Sequence, residues 1–154
     1  MNFKILYQTY NNIGSVYSRQ GNFNEGLKHY NKAIELNPLF ADTYLNRAIL
    51  YTLTEKHEQA TPDYDKYFIF NAGNISSDAY YWRGLNRHHL KNYNEAVSDF
   101  SIAIQSNPKV GDYYLVRSKS YNALGNKKQA LTDAYNAQSL GIKVESEYLN
   151  SLRN

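Results

Sequence analysis

The sequence predicts an all-α fold, a right-handed superhelix of four helical hairpins closed by a short terminal helix. Three observations predict it. A pattern recurs with starts at Tyr7, Ala41, Ser77 and Gly111, spaced by 34, 36 and 34 residues, and periods of that size belong to stacked repeat architectures. Within each repeat, apolar residues fall at i, i+3, i+4 and i+7 on both sides of a turn such as Gln20-Gly21-Asn22 or Leu124-Gly125-Asn126, which describes two amphipathic helices tightly joined. Pro38 and Pro108 close two of the repeats, since proline lacks the N–H needed to continue a helix.

The first repeat, residues 7–40, pairs YNNIGSVY with GNFNEGLKHYNKAIELNP, and the second, 41–76, pairs YLNRAILY with EKHEQATPDYDKYFIFNA. The third, 77–110, pairs YYWRGLNR with KNYNEAVSDFSIAIQSNP, and the fourth, 111–144, pairs YLVRSKSY with GNKKQALTDAYNAQSLGI. Gly14, Ala48, Gly84 and Ser118 in the first helices have small counterparts in the second, at Gly26, Ala60, Ala96 and Ala130. Small residues at both places let the paired helices approach closely. The second repeat is irregular, with Pro62 inside its second helix, Tyr67 and Phe68 in the tight packing region, and two extra residues across Ala72–Ser76. Either that helix is kinked or it starts late; a late start, with Thr61 as N-cap and Pro62 first in the helix, costs least. It would also put Asp63 and Asp65 in a first turn, where acids are stabilised. The irregularity is read equally as a hinge or as tolerated drift. Residues 145–154 then form a terminal cap, with Ser146 able to N-cap a helix and Val144, Tyr148, Leu149 and Leu152 on its apolar side. An uncapped final hairpin would leave an apolar face open. The whole chain, 1–154, reads as a single domain, long enough to hold a core without disulfides or metal.

One covariation stands out inside the repeat. The seventh position is Ile13, then Arg47, Arg83 and Arg117, while the twenty-third is His29, then Asp63, Asp99 and Asp133. The two charges appear together, so ion pairs Arg47–Asp63, Arg83–Asp99 and Arg117–Asp133 are expected within repeats. A structural role outweighs a catalytic one for these acids, because a charge is costly to bury unpaired.

Taken together, these positions resemble the tetratricopeptide repeat family, and the resemblance spans essentially the whole chain. It rests on the aromatic fourth position (Tyr10, Tyr44, Tyr80, Tyr114), on the twenty-fourth (Tyr30, Tyr64, Phe100, Ala134) and on the twenty-seventh (Ala33, Tyr67, Ala103, Ala137). The resemblance implies a concave face lined by the first helix of each repeat. Carried onto this chain, that face is polar at its start, through Asn11, Ser15, Ser18 and Arg19, and then gains Leu45, Asn46, Ile49, Thr52 and Leu53. It turns aromatic and apolar at Tyr81, Trp82, Leu85, His88, Leu115 and Val116, residue types that anchor partners. The implied function is non-catalytic binding of a peptide or protein segment in this groove; the alternative is a self-associating scaffold whose groove takes another copy of the chain. One subclass of the family grips the terminal carboxylate of heat-shock chaperones with basic and Asn residues. The corresponding positions here are Asn11, Ser15, Asn46, Asp78 and Trp82; only Asn46 matches, and Asp78 would repel a carboxylate.

Several classes are argued against by composition. The net charge of +3 arises from 17 basic and 14 acidic residues spread along the chain, without the dense basic stripe that nucleic acid requires. There is no cysteine, and the four histidines sit in no metal-binding spacing. No cofactor, metal or enzymatic chemistry is therefore expected. No apolar run approaches the ~20 residues of a membrane span, so no membrane is expected and a cytoplasmic location is. The sixteen tyrosines beside a single tryptophan fit thin helical layers, where many positions have one apolar and one wet side.

Overall fold

The computed structural model describes residues 3–153, which divide into two compact units between Ile75 and Ser76. The first unit contains α1 (Phe3–Arg19), α2 (Phe23–Leu36), α3 (Ala41–Leu53) and α4 (His57–Phe70). The second contains α5 (Ser77–His89), α6 (Tyr93–Ser106), α7 (Gly111–Ala123), α8 (Lys127–Ser139) and α9 (Ser146–Arg153). No strand occurs among the described residues. The helices pair as hairpins α1/α2, α3/α4, α5/α6 and α7/α8; within the units α2 packs on α3, α6 on α7, and α9 on α8.

Each hairpin turns through the same device. The backbone N–H of Asn22, Lys56, Asn92 and Asn126 donates to the carbonyl five residues back, at 2.8–2.9 Å. This closes the first helix with a Schellman motif, which needs a left-handed residue just before that donor. Gly21 and Gly125 supply it at φ 79°, but Glu55 and Lys91 adopt it at φ 59° and 63°. A side chain in that region is strained. Glu55→Gly and Lys91→Gly are each expected to raise stability by up to about 1 kcal/mol, seen as a higher urea midpoint; an unchanged or lower midpoint would refute the strain. At the other end of the hairpins, Asn37 and Asn107 are extended (φ −147° and −144°). Pro38 and Pro108 impose this, because a proline disfavours helical backbone in the residue before it.

The second repeat corrects the sequence reading. α4 does not start late: it runs from His57 with Pro62 inside it, and Thr61 lies within the helix, its hydroxyl donating to the His57 carbonyl at 3.2 Å. The start is set by the turn at Glu55 and Lys56, which delivers Gln59 and Ala60 N–H groups to the Lys56 carbonyl at 3.1 Å. Beginning at Pro62 would forfeit the turn carrying Ala60, which is fully buried. Pro62 is on the exposed side, where the carbonyl it leaves without an N–H can meet water. Glu58, rather than Asp63 and Asp65, is the first-turn acid. In α9, likewise, Ser146 is the first helical residue and Glu145 precedes it, its carbonyl accepting from Leu149 N–H at 3.2 Å.

Between paired helices the core is a row of small residues against rings. A Cβ on Gly14 would sit 2.7 Å from the Tyr30 ring, and one on Gly84 2.6 Å from Phe100. The fourth repeat has Ala134 where the others carry a ring, and the terminal helix restores one: Tyr148 meets Ser118 hydroxyl to hydroxyl at 2.8 Å. Val144, Leu149 and Leu152 complete that end against Ala130, Ala134 and Ala137.

The charged positions add a second layer. Arg47 makes a forked contact to Asp63 (2.6 and 2.7 Å), Arg83 to Asp99 (3.0 and 2.6 Å) and Arg117 to Asp133 (2.7 and 2.9 Å), linking first and second helices of one repeat. Arg47 also reaches Asn31 at 2.6 Å, and Arg117 reaches Ser101 at 2.9 Å, each tying its repeat to the one before. The guanidinium of Arg47 lies over Tyr44 and Tyr51, and that of Arg117 over Tyr114 and Tyr121. In the first repeat His29 takes this place, stacked on Tyr10 and Tyr17 at 5.7 and 5.4 Å. In the third, Arg87 replaces the second tyrosine and gives Asp99 another partner at 2.7 Å.

Candidate functional site

The first helix of each repeat presents a face to solvent, and the sequence-predicted binding residues divide between the two units. In the first unit, Asn46 donates to Asn11 at 2.9 Å, so Asn11 is buried and the two hold α1 against α3. Ser15, Ser18 and Arg19 of α1 and Asn46, Ile49 and Leu53 of α3 line one cleft of about 250 Å³, with Tyr30 and Leu50 behind them. Leu45 is half-buried on the same helix. Its polar wall is cross-linked: Tyr30 hydroxyl donates to Ser15 at 3.2 Å, and Ser18 donates to Tyr30 at 3.3 Å. Thr52 is not available to a partner. It is buried and meets the Tyr64 hydroxyl at 2.9 Å, between the helices.

In the second unit the site centres on Tyr81, whose ring lies 5.5 Å from Trp82, 5.1 Å from Tyr113 and 6.2 Å from Phe100. Phe100 and Tyr113 are buried and fix Tyr81 from behind, leaving Tyr81, Trp82 and Leu85 half-exposed. Tyr113 is held by its hydroxyl, which donates to Asp78 and Ser77. Burial raises the Tyr81 phenol above its ordinary value, and the Asp112 and Asp78 carboxylates push it further. Sequence reasoning missed Tyr113, although its place immediately after Asp112 and one repeat beyond Ala79 was visible.

Two of the residues predicted in the second unit, like Asn46 in the first, have structural engagements. Leu115 packs on the terminal core around Ala134 and Leu149. His88 bonds through Nδ1 to Ser120 at 2.8 Å and lies 5.2 Å from the Tyr93 ring, bracing α5 against α7. Val116, half-buried, accepts from Ser120 through its carbonyl at 3.1 Å. Burial, then His89 and Lys119, lowers the His88 pKa below the usual 6.5. The unfolded chain therefore binds a proton at higher pH than the folded one, and His88 lends stability above about pH 6.5 that is lost as pH falls below it. A His88→Gln variant is expected to show a shallower loss of melting temperature from neutral to mildly acidic pH; an identical slope would remove His88 as its source. No cluster of three metal-ligating side chains occurs among the described residues, and no helix in them is long and apolar enough to cross a membrane.

Helical hairpins that repeat the same small residues packed on rings define a helical-repeat protein. Tetratricopeptide repeat models match residues 7–40, 29–61 and 77–110. The chain belongs to the tetratricopeptide repeat family, whose repeats serve as protein-interaction modules. Among solved structures it is similar to MamA, 21% identical with a TM-score of 0.78 over 88% of this chain and 73% of that one. It is also similar to YrrB, described as a TPR protein with an unusual peptide-binding site, at 19% identity and TM-score 0.76 over 92% and 75%. Among curated proteins it resembles human sperm-associated antigen 1, 26% identical over 84% of this chain and 14% of the relative. A match to the Hsp70-Hsp90 organizing protein of Triticum aestivum is 27% identical over 62% of this chain and 16% of the relative. The Giardia intestinalis UDP-N-acetylglucosamine–peptide N-acetylglucosaminyltransferase is 36% identical over 42% of the chain. The chain spans only 4% of that transferase and 14% of the human relative.

Proposed function

We propose that this chain is a non-catalytic adaptor that holds a peptide or protein segment on the first-helix faces of its repeats. The observation that carries this reading is the half-exposed Tyr81–Trp82 pair, backed by buried Phe100 and Tyr113. Rigid aromatic rings with a firm backing are what binding hot spots are made of. In the first unit, the cleft walled by Ile49 and Leu53 against Ser15 and Asn46 is a second place for a side chain. A chaperone's terminal carboxylate is not the ligand of this reading: Asn11 is buried under Asn46, and Asp78 stands where a donor would be needed.

Trp82 reports on the reading directly. Its fluorescence is expected to shift when a partner recovered by affinity capture is added, and Trp82→Ala is expected to weaken that partner by about 2 kcal/mol or more. A partner that binds the alanine variant as tightly as the parent moves the site elsewhere. Light scattering separates the self-associating alternative, since a mass that stays monomeric at every concentration rules out a second copy as occupant.

A further inference from the structure

We infer that the α5–α7 face of the second unit receives a segment bearing a lysine or arginine side chain, seated at Asp78 and Asp112 and across the Tyr81 and Trp82 rings. This deepens the groove reading above and rests on it. Asp99 is met by Arg83 and Arg87, and Asp133 by Arg117. Asp78 and Asp112 are exposed, occupy the same place in consecutive repeats, and have no cationic partner among the described residues. Asp78 accepts from the Tyr113 hydroxyl, which joins the start of α5 to that of α7 and brings the two acids to one end of the face. Tyr81 follows Asp78 by about one turn of α5, and its ring lies 5.1 Å from that of Tyr113, the residue after Asp112; both carboxylates push the Tyr81 phenol up beyond what burial does.

A cation is attracted both by carboxylates and by the face of an aromatic ring, and here the two attractions converge. The nearby cations are spent elsewhere, displaced or unpaired with these acids: Arg83 and Arg87 are bound to Asp99 and Arg117 to Asp133, Lys119 lies about two turns further along α7 than Asp112, and Lys109, in the turn before α7, makes no ion pair with either acid. Acids in a first turn also favour the helix dipole; a role confined to that would change stability without changing affinity.

The test titrates short, end-blocked peptides alternating leucine with lysine, N-acetyl-lysine or glutamate into the full chain, read by Trp82 emission. The lysine peptide is expected to give a saturable shift that weakens with added salt. The acetyl-lysine and glutamate peptides are expected to bind at least about tenfold more weakly, and Asp78→Asn with Asp112→Asn to weaken the lysine peptide by about tenfold. Circular dichroism establishes that the double variant is folded, and the peptide series decides the sign of the charge without it. Equal binding of lysine and glutamate peptides, or parent-like affinity in a folded double variant, overturns the charge assignment and leaves the groove reading standing. Absence of any saturable shift, with every peptide, overturns both.

Discussion

Arg117→Leu is expected to lower the stability of the chain by about 3–5 kcal/mol, the range seen when one partner of a buried ion pair is removed. Asp133 is 4% exposed at its side chain, and Arg117 is its only ion-pair partner among the described residues, so the substitution leaves a buried carboxylate without a counter-charge. Arg83→Leu is expected to cost less, because Arg87 remains on Asp99 at 2.7 Å. Replacing Arg117 and Asp133 together by leucine removes the stranded charge and is expected to recover much of the loss. Urea unfolding of the three variants beside the parent measures this. If the Arg117 and Arg83 substitutions prove equal, the second arginine contributes nothing and the account of the third repeat fails.

Phe100→Ala is expected to destabilise by a similar amount, about 3–5 kcal/mol. Its side chain is fully buried and fills the space that Gly84 leaves open. The cavity created cannot be filled by its neighbour, since a glycine has no side chain to relax into it. Gly84→Ala in this background is therefore expected to recover part of the loss, whereas the same change alone forces a Cβ to within 2.6 Å of the ring. A double variant no more stable than Phe100→Ala would show that the close approach is not what sets the packing.

Much of this was legible in the sequence, because repetition converts weak local signals into strong ones. The small residues are read in all four repeats and their aromatic partners in three, while arginine and aspartate appear together in three repeats and are absent together from the first. The late start assigned to α4 fails for a physical reason. Pro62 was weighed as a local cost, whereas the turn at Glu55 and the burial of Ala60 and Tyr64 set the helix start from outside. Thr52 was placed on the binding face by its position alone. A signal against that was present: Ser18 and Thr52 occur in the repeats with Tyr30 and Tyr64, whose hydroxyls they meet. Where the ring is Phe100 and offers no hydroxyl, the residue is His88, and it turns to Ser120 instead. The Asn11–Asn46 bond and the second arginine on Asp99 carry no periodic signal, since each occurs in a single place.

The sole tryptophan belongs to the second of the two compact units, and this gives the chain an internal reporter for one half only. Indole emission follows the surroundings of Trp82, while far-ultraviolet dichroism follows helices in both units. In repeat proteins, where each hairpin is stabilised mainly by its neighbours, the halves need not melt as one. Coincident denaturation curves from the two signals would mark the chain as a single cooperative block. Curves that separate would locate a break in cooperativity, and the tryptophan's address would say which half gives way first.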